Sequence, residues 1–281
     1  MPIVPCSRSL PPAAGARRLA LSLFAVLAGG GLPAAAQEPS SAAAPPELVT
    51  DRPDQTESAA VVPPGTVQLE TGVDHAEEGG GPDAESDALG STLLRVGLVE
   101  GLELRLGWGG WARDREAAGG EVEGTADGEI GFKVALWEAR GRRPQAALLG
   151  GVSLPVGADR LSSGRHDASL RLSLAHDLPR GTSLGYNLGM AWAGEESRLE
   201  YTAAFGFPLG PRVGGFVELF GDGLVDEPAG GPSTGSAHAV DGGLTFLLRD
   251  RLQLDLAVGA GLTDQAPDRF LTAGLSVRWP R

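Results

Sequence analysis

The chain has 281 residues, a formal net charge of −13, a single cysteine and only 5% aromatic residues. This acidic balance argues against nucleic-acid binding, and the lone Cys6 excludes a disulfide scaffold. Its 43 glycines suggest low complexity, yet they fall inside alternating segments as well as between them, which disorder does not produce.

In chain order, Arg8, Arg17 and Arg18 precede the apolar run Leu19–Ala28, and Ala34-Ala35-Ala36 follows. A basic start, a short apolar stretch and a small-residue site read as a secretory signal peptide over residues 1–36. The run is too short for a membrane-spanning helix of ~20 apolar residues, and Gly29-Gly30-Gly31 and Pro33 break it. Its removal takes three arginines and no acids, so −13 becomes −16, and Cys6 leaves with it. Residues 37–47, rich in Ala, Ser and Pro, form a flexible lead-in.

Residues 48–65 make a polar N-terminal segment ahead of the first strand. Asp51, Arg52, Asp54 and Glu57 are too polar for lipid, and Pro53 prevents pairing in a central strand. Two readings stay open: a plug folded back into a barrel mouth, or a solvated periplasmic tail. The run Thr50, Asp51, Arg52, Pro53, Asp54, Thr56, Glu57 and Ser58, followed by Gly65, Gln68 and Glu70, resembles the opening signature of a family of bacterial outer-membrane proteins named for a meta-pathway of phenol degradation or for transport. Gln55 stands where that family often has an aromatic residue. The resemblance implies an outer-membrane β-barrel, with uptake of hydrophobic or aromatic compounds.

From Thr66 onward the pattern has period two. In Arg251–Gly261, Leu252, Leu254, Leu256 and Val258 share one face; Gln253, Asp255, Ala257 and Gly259 share the other. Strands of this kind are expected at Thr66–Asp74, Leu89–Val99, Leu102–Trp111, Asp127–Trp137, Gln145–Leu154 and Ala168–Asp177, then at Thr182–Trp192, Arg198–Phe207, Val213–Phe220, Ala239–Leu248, Arg251–Gly261 and Arg269–Trp279. Twelve strands suit a bacterial outer-membrane barrel. Tight turns at Glu100-Gly101, Leu178–Gly181, Pro208–Arg212 and Arg249-Asp250 alternate with longer connections at His75–Ala88, Ala112–Ala126, Pro155–Asp167 and Gly221–His238. That rhythm puts turns at a periplasmic mouth and loops at an extracellular one. Ala193–Ser197 and Leu262–Asp268 are short for the loop side.

A soluble β-sandwich would alternate too. Here the polar face carries Gly97, Gly107, Gly131, Gly185, Gly189, Gly206, Gly243, Gly259 and Gly274, which fits a crowded lumen better than a solvated face. Trp108, Trp111, Trp137, Trp192 and Trp279 lie near strand ends, as an aromatic girdle requires. Trp111 and Trp137 fall on the polar parity, which calls either for a bulge or register error there or for ordinary loop packing of the two indoles. The expected fold is therefore an all-β, 12-stranded antiparallel up-and-down transmembrane barrel over residues 66–281.

With the apolar face toward lipid, Glu70, Arg95, Glu103, Arg105, Glu129, Lys133, Arg171, Glu200, Glu218, Asp255 and Arg278 line the interior. They form either a salt-bridged closed lumen or a charge-lined path for solutes. Catalysis has weaker support: His75, His166 and His238 fall in or beside expected loops, His176 has no serine placed to partner it, and no G-x-S-x-G elbow occurs. The acidic first loop lacks the spaced carboxylates of a calcium site. The sequence thus points to an exported outer-membrane protein with lipid and lipopolysaccharide as surroundings and a small solute as cargo. No cofactor, metal or nucleic acid is expected. The alternative is a non-conducting structural or surface-interaction barrel.

Overall fold

The computed structural model describes residues 47–77, 84–116, 119–226 and 235–279; the expected signal peptide and nearly all of the lead-in lie outside the described residues. Fourteen strands form one antiparallel sheet: β1 Val67–Glu77, β2 Glu85–Val99, β3 Leu102–Trp108, β4 Trp111–Arg115, β5 Glu121–Thr125, β6 Gly128–Trp137 and β7 Gln145–Leu154. The second half comprises β8 Ala168–Asp177, β9 Ser183–Ala193, β10 Glu196–Gly210, β11 Val213–Asp226, β12 His238–Arg249, β13 Leu252–Gly261 and β14 Arg269–Trp279. β3 and β4 both lie against β2 and continue one another, as do β5 and β6 on the next position. The strands are therefore the twelve staves of a barrel. β1 closes it by pairing with both β14 and β2, with Val67 opposite Trp279 on one side and Val96 on the other.

Closure leaves no edge, so every stave satisfies its backbone within the wall. The sheet is inverted relative to a soluble protein. On β13, Val258 is 58% exposed while Asp255 is 4% exposed, and the alternation runs the length of the strand. Leu254, Leu256, Leu271, Val217 and Phe132 likewise face outward, while Arg95, Lys133, Gln68, Glu70 and Glu103 are buried inside. Reversing this arrangement would cost about 2–4 kcal/mol for each charge placed against lipid near the midplane. No helix among the described residues is long and apolar enough to cross a membrane.

All five tryptophans face outward. Trp137 and Trp279 mark the turn end of the wall, and Trp108, Trp111 and Trp192 mark the loop end. The parity conflict at Trp137 is resolved by a register shift between Ala135 and Trp137. Between Trp108 and Trp111 the wall is irregular at Gly109-Gly110, and Gly90 opposite it takes a positive φ of 73°. Both indoles thereby reach the same face.

Three expected loops are corrected. Ala112–Ala126 is largely the β4–β5 hairpin, which carries the wall upward through Arg113 opposite Glu123 and Arg115 opposite Glu121. The expected His75–Ala88 connection is shortened because β1 runs to Glu77 and β2 starts at Glu85. β11 runs to Asp226. The extensions of β1 and β2 and the β4–β5 hairpin carry charge on their outer face, and that of β11 carries Gly221 and Gly223 there, so apolar periodicity does not register them.

Candidate functional site

Residues 47–65 lie inside the barrel. The segment enters at the turn end, where Arg278 donates to the Glu47 carbonyl oxygen at 2.9 Å and Gln253 donates to Thr50 at 2.9 Å. It crosses the lumen and returns to the turn end, where the Gly65 N–H donates to the Gly97 carbonyl oxygen at 2.8 Å. Along this circuit it bonds to β1, β2, β3, β6, β8, β9, β10, β11, β13 and β14.

Two glycine seats make the circuit possible. A Cβ on Gly97 would lie 2.1 Å from the Pro63 carbonyl oxygen. One on Gly72 or Gly274 would lie within 2.4 or 2.5 Å of the Arg52 guanidinium. At Gly97 the backbone of the segment occupies the space of a side chain, and at Gly72 and Gly274 the Arg52 guanidinium does so together with the Ala273 and Thr71 carbonyl oxygens of the wall.

Asp51 is the centre of the segment's contacts. Its carboxylate accepts from Arg105 at 2.6 Å, Lys133 at 2.8 Å and the Ser58 N–H at 2.9 Å, and lies 3.0 Å from Arg95. Its own N–H donates to Glu70 at 2.9 Å. Burial alone would raise the Asp51 carboxyl, but Arg95, Lys133 and Arg105 outweigh it and hold the group well below the usual carboxylate range. Arg105 grips Glu57 through two bonds of 3.0 and 2.8 Å. Arg95 reaches Glu103 at 2.9 Å and Glu70 at 3.1 Å. Glu103 in turn accepts the Val62 N–H at 2.7 Å.

The opposite wall is built differently. Arg52 donates to Thr272 at 2.7 Å and to Asp255 at 3.3 Å. Glu218 accepts the Gln55 N–H at 2.7 Å and the Thr56 hydroxyl, which also meets Thr202 at 2.7 Å. Asp54 faces Glu218 and Asp241 with no base beside it; burial first, then those two carboxylates, hold its carboxyl well above the ordinary range.

Above the segment, toward the loop end, Arg171 pairs with Glu200 at 2.8 Å. These two share a cavity with Gln55, Thr202, Phe220, Ala237, Ala239, Ala266 and Pro267. Ala76, Ala237, Ala239, Ala266 and Phe270 pack there as an apolar cluster against Phe220, whose ring meets Phe270 edge-on at 5.9 Å.

The structure therefore brings Glu70, Arg95, Glu103, Arg105 and Lys133 together around Asp51 and Glu57. Arg171 and Glu200 sit higher, Glu218 and Asp255 on the far wall, and Arg278 at the turn end, where it also donates to Gln68 at 2.8 Å. Glu129 stands apart from the segment; its carboxylate lies over the backbone of Gly151. Charge-based reading of the sequence passes over Gln68, Ser173, Asn187, Thr202, Gln253 and Thr272, all buried inside, and also Asp241. Asp241 shares the parity of Gly243, and that alternation is the signal that could have found it. Among the described residues the histidines meet partners other than a serine hydroxyl: His176 meets Tyr186 at 3.2 Å, His238 meets Tyr201 at 3.0 Å, His75 meets Asp87 at 2.8 Å, and His166 meets the Ser153 carbonyl oxygen at 2.8 Å.

The family model described as "Putative MetA-pathway of phenol degradation" matches residues 50–279. Among solved structures, an outer membrane channel from Pseudomonas putida F1 is similar, with a TM-score of 0.60 and 14% identity over 78% of this chain and 97% of that one. The NanC porin has a TM-score of 0.49 and 9% identity, over 75% of this chain and 98% of its own. No curated protein sequence matches the chain. The Pseudomonas putida channel shares the fold, that of an outer-membrane barrel.

Proposed function

The chain belongs to the family whose model spans residues 50–279, and on that premise we propose that it is an outer-membrane channel for small molecules whose N-terminal segment is a lumen plug. The observation that carries this reading is the inverted barrel with residues 47–65 held inside by ion pairs. A wall of this kind puts leucines against lipid and leaves a polar interior. Residues 1–36 would direct export, and the protein would sit in the outer membrane with both barrel ends of the chain periplasmic.

The proposed route starts at the loop end. A solute enters the chamber where Phe220 and the alanines offer an apolar side, while Gln55, Thr202 and the Arg171–Glu200 pair offer a polar one. Such a surface suits small apolar or aromatic molecules bearing one polar group. Onward passage requires the segment to shift, and the process is diffusion rather than catalysis. Around the barrel, lipid and lipopolysaccharide are the proposed neighbours. Above Trp111, the outward pairs of Arg113 with Asp87 at 2.6 Å and Arg115 with Glu85 at 2.8 Å would meet headgroups. No cofactor or nucleic acid enters the proposal.

A second reading, a closed structural barrel, is favoured by the completeness of the Asp51 and Glu57 contacts. Reconstitution of the mature chain into planar bilayers and swelling liposomes separates the two. Discrete conductance that rises when Leu48–Ser58 is deleted supports the plugged channel. A silent barrel, with or without the deletion and still heat-modifiable on gels, supports the structural reading.

A further inference from the structure

The charges of the lumen sort by wall. Arg95, Arg105 and Lys133 each have carboxylates within 3.1 Å, and Arg171 has Glu200. On the far wall Arg52 is engaged with Asp255 and Thr272. That leaves Glu218 on β11 and Asp241 on β12, directly opposite one another in the ladder and both turned inward, with Asp54 of the segment facing them. Among the described residues no arginine, lysine or histidine forms an ion pair with any of these three.

Acidity alone would not make this a site, but Asp241 adds an independent observation. It is only 8% exposed, and apart from the facing Glu218 carboxyl neither of its carboxylate oxygens has a hydrogen-bond partner among the described residues. Its neighbour across the ladder on β13 is Gly259, which offers no side chain, and along β12 it is flanked on the same face by Ala239 and Gly243. Glu218 is already served by the Gln55 N–H and the Thr56 hydroxyl. A buried carboxylate with no donor is among the costlier arrangements in a protein, and two facing carboxylates repel. A positive ligand resolves both problems at once.

We propose that Glu218 and Asp241 form a cation subsite in the lumen, taking a compact monocation, either an alkali ion or a primary ammonium group, and that this subsite makes passage cation-selective. No three carboxylate or imidazole groups among the described residues converge as a metal cage would, so the arrangement suits a monocation held between two carboxylates rather than a chelated divalent metal. The plug bears on this wall through bonds to Glu218 on β11 and to Gln253 and Asp255 on β13. The cation path therefore runs along β11–β13, beside the segment rather than through its clamp. The selectivity rests on the channel reading; binding at the subsite does not.

The test uses the mature protein in planar bilayers under a potassium chloride gradient. The reversal potential is expected to show a cation preference of about tenfold, falling toward unity in Asp241→Asn and in Glu218→Gln. Replacing potassium by methylammonium should preserve the preference if ammonium groups share the site, and its loss would restrict the site to alkali ions. A conducting protein without cation preference, or an Asp241→Asn variant that keeps it, overturns the inference. A silent protein removes the channel reading, and the subsite is then read in detergent. There potassium or methylammonium chloride should raise the wild-type unfolding temperature above that in tetrabutylammonium chloride at equal ionic strength, and should not do so in Asp241→Asn. Equal unfolding temperatures in all three salts would mean that the pair holds only a shared proton, and would overturn the subsite.

Discussion

The two sides of the lumen hold the same segment by opposite means. On the side of β1, β2, β3 and β6, acids and bases interlock: Asp51 meets Arg95, Arg105 and Lys133, and Glu57 meets Arg105. On the side of β11–β14, acids accumulate, and Arg52 is the base that the segment brings to them. The first side resembles a clamp and the second a surface kept chemically open. A lumen can thus be closed and selective at once, because the charges that fix a plug need not be those that meet a solute.

Breaking the clamp should have the largest effect. Asp51→Ala leaves three buried cations without their shared carboxylate, and losing one partner of a buried pair costs about 3–5 kcal/mol. The N-terminal segment should then become cleavable by added protease in the reconstituted protein, with conductance near that of the Leu48–Ser58 deletion. Next in size is Gly274→Ala, whose new methyl would lie about 2.5 Å from the Arg52 guanidinium. Expelling Arg52 costs its charged hydrogen bonds, about 1.5–3 kcal/mol. Partial protease sensitivity should follow, and Arg52→Ala should mimic it. Thr56→Val removes one hydroxyl shared by Thr202 and Glu218, for a loss of about 1 kcal/mol that amide exchange at Gln55 would register.

The smallest effect sharpens the comparison by its sign. Asp54 has its carboxyl held high, so its protonated form favours docking at and below the ordinary carboxylate range, and that contribution fades as pH rises through the raised value. Asp51 is held low, so its contribution is present above the ordinary range and is lost only when pH falls through the depressed value. Raising the pH should therefore speed exchange of the Gln55 amide, corrected for its intrinsic rate, while the Ser58 amide bound to Asp51 stays protected. Asp54→Asn should weaken the Gln55 response and slightly stabilise docking.

Much of this molecule is legible in its sequence because the bilayer enforces a strict period of two. Leu252, Leu254 and Leu256 announce β13, and Asp255 and Gln253 follow as interior by parity alone. The Trp111 and Trp137 conflicts even locate the wall's irregularities. Legibility fails where the constraint lapses. Above the apolar band, Arg113, Glu121 and Glu123 put charge where an apolar face would be, so the β4–β5 hairpin reads as loop. The segment's polarity and Pro53 exclude it from the wall, yet nothing local in the sequence says that Asp51 meets Lys133 or that Arg52 lies over Gly274. Those partners are set by the curvature of a closed sheet. Listing interior charges likewise does not reveal that Asp241 has no base, because pairing is a property of neighbours around the barrel.

The reach of Arg52 has a consequence for biogenesis. Its partner Thr272 lies 220 positions downstream, and Arg278 bonds the carbonyl of Glu47 across 231. Glu47 and Arg52 thus finish their bonding only when the last strand has taken its place beside β1. Contacts so distant along the chain form late, after the loop-closure cost of the intervening chain has been met. Docking of the segment therefore works as a gauge of completed closure: a barrel short of its final stave, or joined in the wrong register, cannot seat Arg52.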